Sequence, residues 1–260
     1  MKSIPPLKLG LVGRRISHSR SRELHQELLA QRGLVGTYEV FDIEADEMPT
    51  VLARCWEDGY VGLNVTTPYK QVVANSVGAE EPVNTLWRGA DFWQGVSTDG
   101  VGFVRGLARI SSLPPTFWRT VIILGAGGVL PSLLGCFEEG QSVQILRRSA
   151  RNDETLRKVC PKAHMADLNL ENFKKCLMKD PASLVIQASS APLHGDEMMY
   201  LTPALEIGAA CLIDLVYGRP SQLYSRAREL GILCQDGSAM LEEQAKESQR
   251  LWFDGAGERN

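Results

Sequence analysis

The sequence predicts an α/β protein of two domains, and three features of the chain predict it. Short apolar runs rich in Val, Ile and Leu recur along the chain and alternate with segments of helical composition. Leu113-Pro114-Pro115 breaks that alternation near the middle, as a hinge would. Soon after the break, Val121-Ile122-Ile123-Leu124 runs straight into Gly125-Ala126-Gly127-Gly128. Residues 1–112 are therefore expected to form a first domain and residues 113–237 a second, of Rossmann type. A helix within 238–260 is expected to pack back on the first domain, with a cleft between the two domains.

Each element has its own signal. Lys8 to Val12 reads as the first strand. Gly13 to Arg22, with three serines and His18, reads as a loop entering a helix that ends near Arg32. Tyr38 to Ile43 is a strand, Ala45 to Trp56 a helix and Gly62 to Val65 a short strand. Thr66-Thr67-Pro68 then starts a helix, with Thr67 as its cap and Pro68 at its first position. Pro82 to Trp87 and Phe92 to Val96 form a hairpin joined near Gly89. Ser97-Thr98-Asp99 caps a helix of roughly twelve residues. Beyond the break, Val121 to Leu124, Val143 to Leu146, Ala163 to Met165, Leu184 to Gln187, Cys211 to Leu215 and Ile232 to Cys234 read as strands. Helical segments separate them, Ser221 to Leu230 among them. The last helix, Ala239 to Trp252, is apolar only at Met240, Leu241, Leu251 and Trp252; its polar middle suits a surface or a cleft.

The unit that opens the second domain carries chemistry. A buried strand, a glycine turn and a helix from Val129 to Glu139 present backbone N–H groups to an anion, and the glycines let a diphosphate come close. Pro131 fits because it sits in the first turn. Gly125, Ala126, Gly127, Gly128 and Val129 are the candidate cradle for a dinucleotide. The next strand ends in Arg147-Arg148-Ser149, where NAD-specific sites place an acid for the ribose 2′-hydroxyl. Two arginines and a serine suit the 2′-phosphate of NADP instead. The bland alternative is a glycine turn without a ligand, which leaves the arginines unexplained. Leu130 holds the third small position of the fingerprint, so the helix is expected to stand off the sheet.

Composition excludes several classes. The 260 residues are 44% hydrophobic and 23% charged, with a net charge of −3, so nucleic acid and anionic membrane are not expected partners. Six scattered cysteines show no metal-ligand spacing; no metal is expected, and they read as reduced thiols of a cytoplasmic protein. No signal peptide or membrane-length apolar run is found.

Three polar clusters precede the break. Ser17, Ser19 and Ser21 alternate, so their hydroxyls either converge on a carboxylate or decorate a helix start. Lys70 lies in the first turn of a helix, the wrong end of the dipole for a cation, which favours an amine able to act as acid or base; a surface lysine is the alternative. Asn84-Thr85 and Thr98-Asp99-Gly100 form the third cluster, in which Asp99 is a helix cap or a catalyst.

At these residues the chain resembles the shikimate dehydrogenases. Six family segments appear in order: Ser17-His18-Ser19-Arg20-Ser21, Asn64-Val65-Thr66-Thr67-Pro68-Tyr69-Lys70, Val83-Asn84-Thr85, Ser97-Thr98-Asp99-Gly100-Val101-Gly102-Phe103, Gly125-Ala126-Gly127-Gly128-Val129 and Gln244-Ala245. The resemblance implies that the first domain binds substrate and the second NADP. It implies reversible reduction of 3-dehydroshikimate to shikimate with NADPH, in the shikimate pathway of aromatic amino-acid and chorismate biosynthesis. Lys70 and Asp99 would be the acid–base pair. Ser19 and Ser21 would hold the substrate carboxylate; Asn64, Thr66, Asn84 and Gln244 would line the hydroxyl side, and Tyr217 would close the pocket. Ser189, Leu215 and Gly237 would join the cofactor contacts, and Arg147, Arg148 and Ser149 match the phosphate segment. Ser97 and Arg22 depart from the family pattern, as do Arg147, Gln187-Ala188-Ser189-Ser190-Ala191-Pro192-Leu193 and Gly237-Ser238-Ala239 on the cofactor side. A quinate/shikimate dehydrogenase of relaxed cofactor choice, or a non-catalytic ligand sensor, are the alternatives. A monomer or a homodimer is expected.

Overall fold

The computed structural model describes residues 6–17 and 19–254; His18 of the serine loop and residues 255–260 of the expected C-terminal segment lie outside them. The chain forms two compact units, one of residues up to Thr98 together with those from Gln244 onward, the other from Asp99 to Glu243.

The first unit is built on a five-stranded sheet. Its strands are β1 (Leu7–Gly13), β2 (Gly36–Asp42), β3 (Gly62–Val65), β4 (Thr85–Arg88) and β5 (Trp93–Val96), in the order β2-β1-β3-β4-β5. The first three are parallel, and β4 and β5 are an antiparallel hairpin. The helices are α1 (Ser21–Gln31), α2 (Met48–Glu57) and α3 (Lys70–Val77). One face of the sheet packs on Met48, Leu52, Tyr69 and Val73; the other packs on Leu29, Tyr38 and Trp252. Gly62 is glycine for a packing reason: a side chain there would collide with the indole of Trp252.

The second unit is a six-stranded parallel sheet. Its strands are β6 (Thr120–Leu124), β7 (Ser142–Arg147), β8 (His164–Asp167), β9 (Leu184–Gln187), β10 (Cys211–Asp214) and β11 (Leu233–Gln235). The order is β8-β7-β6-β9-β10-β11, so the chain reverses direction at β6 and β9, the switch point of a dinucleotide-binding sheet. Alternate residues of β6 point to opposite faces, and both faces are core. Val121 and Ile123 enter one cluster, Ile122 and Leu124 the other. The helices are α4 (Asp99–Ser111), α5 (Leu130–Leu134), α6 (Asp153–Val159), α7 (Leu170–Lys179) and α8 (Gln222–Glu229); α9 (Ser238–Phe253) starts in this unit and from Gln244 onward belongs to the first. Among the described residues no helix is long and apolar enough to cross a membrane.

The structure corrects five details of the sequence reading. The helix after β6 is five residues, not eleven: it ends at Leu134, and Gly135 caps it. Leu130 does not sit idle at the small position; it is fully buried and packs with Leu133 and Leu134 in the core under β6. Thr67 does not cap α3, and Pro68 is not its first residue. Thr67-Pro68 is a cis bond inside a turn that Tyr69 N–H closes on Thr66 O at 2.9 Å, and the helix begins at Lys70. The polar middle of α9 is not simply a solvated face: Glu247, Ser248 and Gln249 are buried. Helix α4 precedes the proline break, yet Phe103 and Leu107 pack in the core of the second sheet.

Candidate functional site

In the first unit the polar residues gather at the carboxyl end of β1 and β3. Register explains why: Asn64 pairs with Leu11 on one side and Thr85 on the other, and Thr85 pairs with Val96. The loops that leave or enter these positions carry the serines, Lys70, Asn84 and Thr98. The serine loop is anchored by Asp42 at the end of β2, whose carboxylate accepts from Arg15 N–H (2.7 Å) and Ile16 N–H (3.2 Å). Ser19 Oγ donates to Ser21 Oγ at 3.0 Å and accepts from Ser21 N–H at 3.3 Å, so the two hydroxyls are neighbours. Ser21 is buried at the first position of α1, and the residue before it, Arg20, makes no side-chain cap bond. Thr66 closes against β1: its N–H donates to Val12 O (2.9 Å), and Gly13 leaves room for its methyl. Lys70 opens α3, half-buried.

Asn64, Asn84 and Gln244, expected together on the hydroxyl side, belong to one hydrogen-bonded network. Tyr38 OH donates to Asn64 Oδ1 at 2.8 Å. Asn64 Nδ2 donates to Asn84 O (3.2 Å), Thr85 Oγ1 (3.3 Å) and Ser248 Oγ (3.0 Å). Asn84 Oδ1 accepts from Thr98 N–H at 2.8 Å and from Thr85 Oγ1 at 2.9 Å, and Asn84 Nδ2 donates to Gln244 Oε1 at 3.3 Å. Thr98 Oγ1 also donates to Gln244 Oε1 at 3.3 Å. Sequence reasoning passed over Tyr38, Thr85, Thr98 and Ser248. Thr85 and Thr98 stood inside quoted segments; Ser248, one turn after Gln244, was visible only as part of an oddly polar helix. Behind Tyr38 lies His25, fully buried and stacked on it with centroids 4.5 Å apart. Burial holds its pKa at about 3, so this imidazole is neutral.

In the second unit the glycine loop follows β6 at the switch point. Gly125 has φ +117°, and a Cβ there would lie 2.7 Å from Ser189 N, so the loop after β6 packs on the loop after β9. Gly128 faces open space, and Gly127 meets only Ala188 O at 3.6 Å. The tight glycine thus faces protein, and the open glycines leave their backbone approachable. That arrangement fits a diphosphate. Ser189 is fixed by Gln187, whose amide spans its N–H and C=O at 2.5 and 2.9 Å. Asp214 at the end of β10 organises the segment carrying Leu215 and Tyr217. It accepts from Val216 N–H at 3.0 Å and from the Ser221 hydroxyl, and burial raises its pKa. Gly237 lies against Leu215, where no side chain would fit. Asp99, buried, starts α4.

The arginines divide. Arg147 turns its guanidinium onto Asp153, with Nε and Nη2 each 2.8 Å from a carboxylate oxygen, and sends Nη1 to Asp167 at 3.0 Å. Its donors are occupied inside the fold, and they hold the Asp153 carboxyl below its ordinary range. Arg148 is exposed, and one nitrogen reaches Asp196 at 3.2 Å. Ser149 accepts from Arg151 N–H at 3.3 Å, and Asn152 Nδ2 donates to Ala126 O at 2.6 Å, tying this segment to the glycine loop. The chemistry on offer is therefore a hydroxyl- and amide-rich polar site in the first unit and an anion cradle beside an exposed arginine in the second.

Comparison with known proteins finds relatives along nearly the whole chain. The model of a family described as the shikimate dehydrogenase substrate binding domain matches residues 11–83. A protein from Mesorhizobium japonicum named shikimate dehydrogenase (NADP(+)) is 30% identical over 264 residues, covering 95% of this chain and 90% of its own length. One of the same name from Alcanivorax borkumensis is 32% identical over 261 residues, covering 92% and 89%. The crystal structure of shikimate 5-dehydrogenase from Listeria monocytogenes, in complex with shikimate and NAD, superposes with a TM-score of 0.80. It is 24% identical and covers 98% of this chain and 94% of its own, a likeness that speaks to the fold.

Proposed function

We propose, since the chain belongs to the shikimate dehydrogenase family, that it catalyses the NADP-dependent, reversible reduction of 3-dehydroshikimate to shikimate. The observation that carries this reading is similarity to two NADP(+)-named relatives along nearly the whole chain, rather than over one domain. NADPH, when bound, supplies the hydride for the ring ketone. The chain's own residues do the rest. Ser19 and Ser21, neighbours at 3.0 Å, hold the substrate carboxylate and so fix the ring. Asn64, Thr66, Asn84 and Gln244 take the ring hydroxyls, and Tyr217 closes the pocket. Lys70, coupled to Asp99, delivers a proton to the developing alkoxide and removes it in the reverse direction. Gly125 to Val129, Ser189, Leu215 and Gly237 hold the dinucleotide, with Arg148 and Ser149 at its 2′-phosphate. The cytoplasm as location, and a monomer or homodimer as state, belong to the same proposal.

Initial rates with shikimate and quinate, each with NADP+ and NAD+, test the reading. Turnover should be fastest with shikimate and NADP+, and absence of shikimate oxidation with either cofactor would overturn it. The acid–base roles have their own check. Lys70→Ala is expected to cut kcat by at least about 100-fold while NADP+ still binds. Asp99→Asn should lose a similar amount, and the double variant far less than the product of the two. Near-normal kcat in Lys70→Ala would leave the lysine without a catalytic role.

A further inference from the structure

The first two strands end side by side, Gly13 of β1 against Asp42 of β2. The serine loop leaves from the one, and the side chain of the other reaches across to it. Asp42 Oδ1 accepts from Arg15 N–H at 2.7 Å and Oδ2 from Ile16 N–H at 3.2 Å, so each carboxylate oxygen holds one of two successive backbone donors. Arg15 stands at φ +56°, in the left-handed region that residues with a side chain avoid. Such a turn aims neighbouring N–H groups at one anion, and the anion in return holds the turn. From Ile16 the bonds run on to the serines: Ile16 O accepts from Ser19 N–H at 2.9 Å, and Ser19 Oγ donates to Ser21 Oγ at 3.0 Å. We propose that Asp42 is a positioning residue for substrate recognition, which holds Arg15 in its left-handed turn and so keeps Ser19 and Ser21 in the arrangement that meets the substrate carboxylate. The proposal rests on the reading above that these two serines bind that carboxylate.

Asp42 is exposed, so its loss opens no cavity, and water can take up the freed N–H groups. What water cannot do is select the left-handed turn. Without the carboxylate the loop relaxes toward the ordinary backbone regions, and only the fraction of molecules that keeps the turn binds at full strength. The root of the loop is held by other means. Ile43 N–H donates to Gly13 O at 3.0 Å, Ile43 O accepts from Tyr69 OH at 2.6 Å, and Arg14 N–H donates to Thr67 O at 3.3 Å. These bonds tie the start of the loop to the turn before Lys70, so the freedom that Asp42 removes begins at Arg15 and leaves the lysine in place. Charge alone argues for the opposite effect. An acid near the serines repels an incoming carboxylate, so its removal would lower KM if charge were its only contribution. Positioning predicts a rise.

The experiment is a double-mutant cycle between Asp42 and Arg15, read by steady-state kinetics. Asp42→Ala should raise KM for shikimate about 5- to 30-fold, the factor by which a residue with a side chain avoids the left-handed region, with kcat and NADP+ affinity close to the parent's. Glycine takes a positive φ freely, so with Arg15→Gly the turn no longer needs an anion. In that background Asp42→Ala should raise KM by less than about 3-fold. Because the effect of Asp42→Ala is compared between two backgrounds, any contact that Arg15 itself makes cancels. A KM for Asp42→Ala at or below the parent's, or an equal rise in both backgrounds, overturns the proposal. Asp42→Asn keeps one acceptor for two donors and should lie between the parent and Asp42→Ala; it serves the same cycle should the alanine variant not fold, and a parental KM in it likewise overturns the proposal. The methyl ester of shikimate tests the reading beneath. Replacing Ser19 and Ser21 together by alanine should raise KM for shikimate far more than for the ester. Equal effects on both would show that the serines do not read the carboxylate, and the positioning role falls with that reading.

Discussion

At the scale of single residues, Arg147 and Arg148 show what a side chain's neighbours do to its function. Both stand at the end of β7, and the sequence sets them apart only in that Arg147 departs from the family pattern while Arg148 keeps it. In the fold, Arg147 is committed to Asp153 and Asp167 and is mostly buried; Arg148 is exposed, with one nitrogen on Asp196. Arg148→Ala is therefore expected to weaken NADP+ binding about tenfold and leave NAD+ nearly unchanged, as read by dinucleotide titration. Arg147→Ala should lower the melting temperature and keep the ratio of the two affinities, because it strands Asp153 inside the fold. Asp196 competes with a bound phosphate for Arg148, so Asp196→Asn should tighten NADP+ by about 2- to 5-fold, an effect that fades in high salt. The arginine pair was legible as an anion signal. Which arginine serves was not, because its partners lie 6 and 20 residues downstream and are reached only through the chain fold.

At the scale of elements, the glycine loop splits into a glycine the fold needs and glycines the ligand needs. Gly125 lies in the left-handed region with the Ser189 backbone 2.7 Å from where its Cβ would be. Gly125→Ala is expected to cost roughly 1–3 kcal/mol of stability from backbone strain, with the contact on Ser189 adding to it. Gly128 meets nothing within 4 Å, so Gly128→Ala should melt like the parent and fail instead in NADP+ titration. Strand, turn and the next strand were readable from apolar runs and glycines. The length of α5 was not. Its end follows from Gly135 and from the Phe137 ring turning onto Phe103, with centroids 6.0 Å apart, a tertiary contact that periodicity does not report. Helix α9 taught the converse. Its polar middle was visible, but polarity there marks a buried network rather than solvent, and only the partners on β3 and β4 make that distinction.

At the scale of the whole molecule, the buried histidine couples folding to pH. His25 titrates near 6.5 when unfolded and at about 3 when folded, because burial penalises the charged ring. As pH falls the unfolded chain takes the proton first. The stability that this neutral ring allows is fully present above about 6.5 and is lost between there and about 3. The loss reaches on the order of 5 kcal/mol at the acid end. Asp214, raised by burial, gives a slope of opposite sign, so the parent must be compared with a variant. His25→Gln should be flatter than the parent in urea unfolding between pH 6.5 and 4.5, and an equal slope in both would refute the assignment. The alternation that gave two α/β layers also gave the order of their strands' chemistry, since ligands collect at carboxyl ends. What the alternation could not give is that α4 goes with the second sheet, which depends on where Phe103 and Leu107 find their cavity.

The first unit is made of two stretches of chain separated by the whole of the second. On the ribosome its five strands emerge before the second unit, while the helix that covers one of their faces emerges only after it. Until then the Gly62 hollow has no indole in it, and Asn64 and Thr85 lack Ser248. The newborn sheet is thus unfinished while the whole second unit is being made, open to proteases and to holding chaperones. A chain stopped after Glu243 would keep β1 to β11 and still carry this wound, and limited proteolysis should cut it within residues 6–98 before it cuts the second unit.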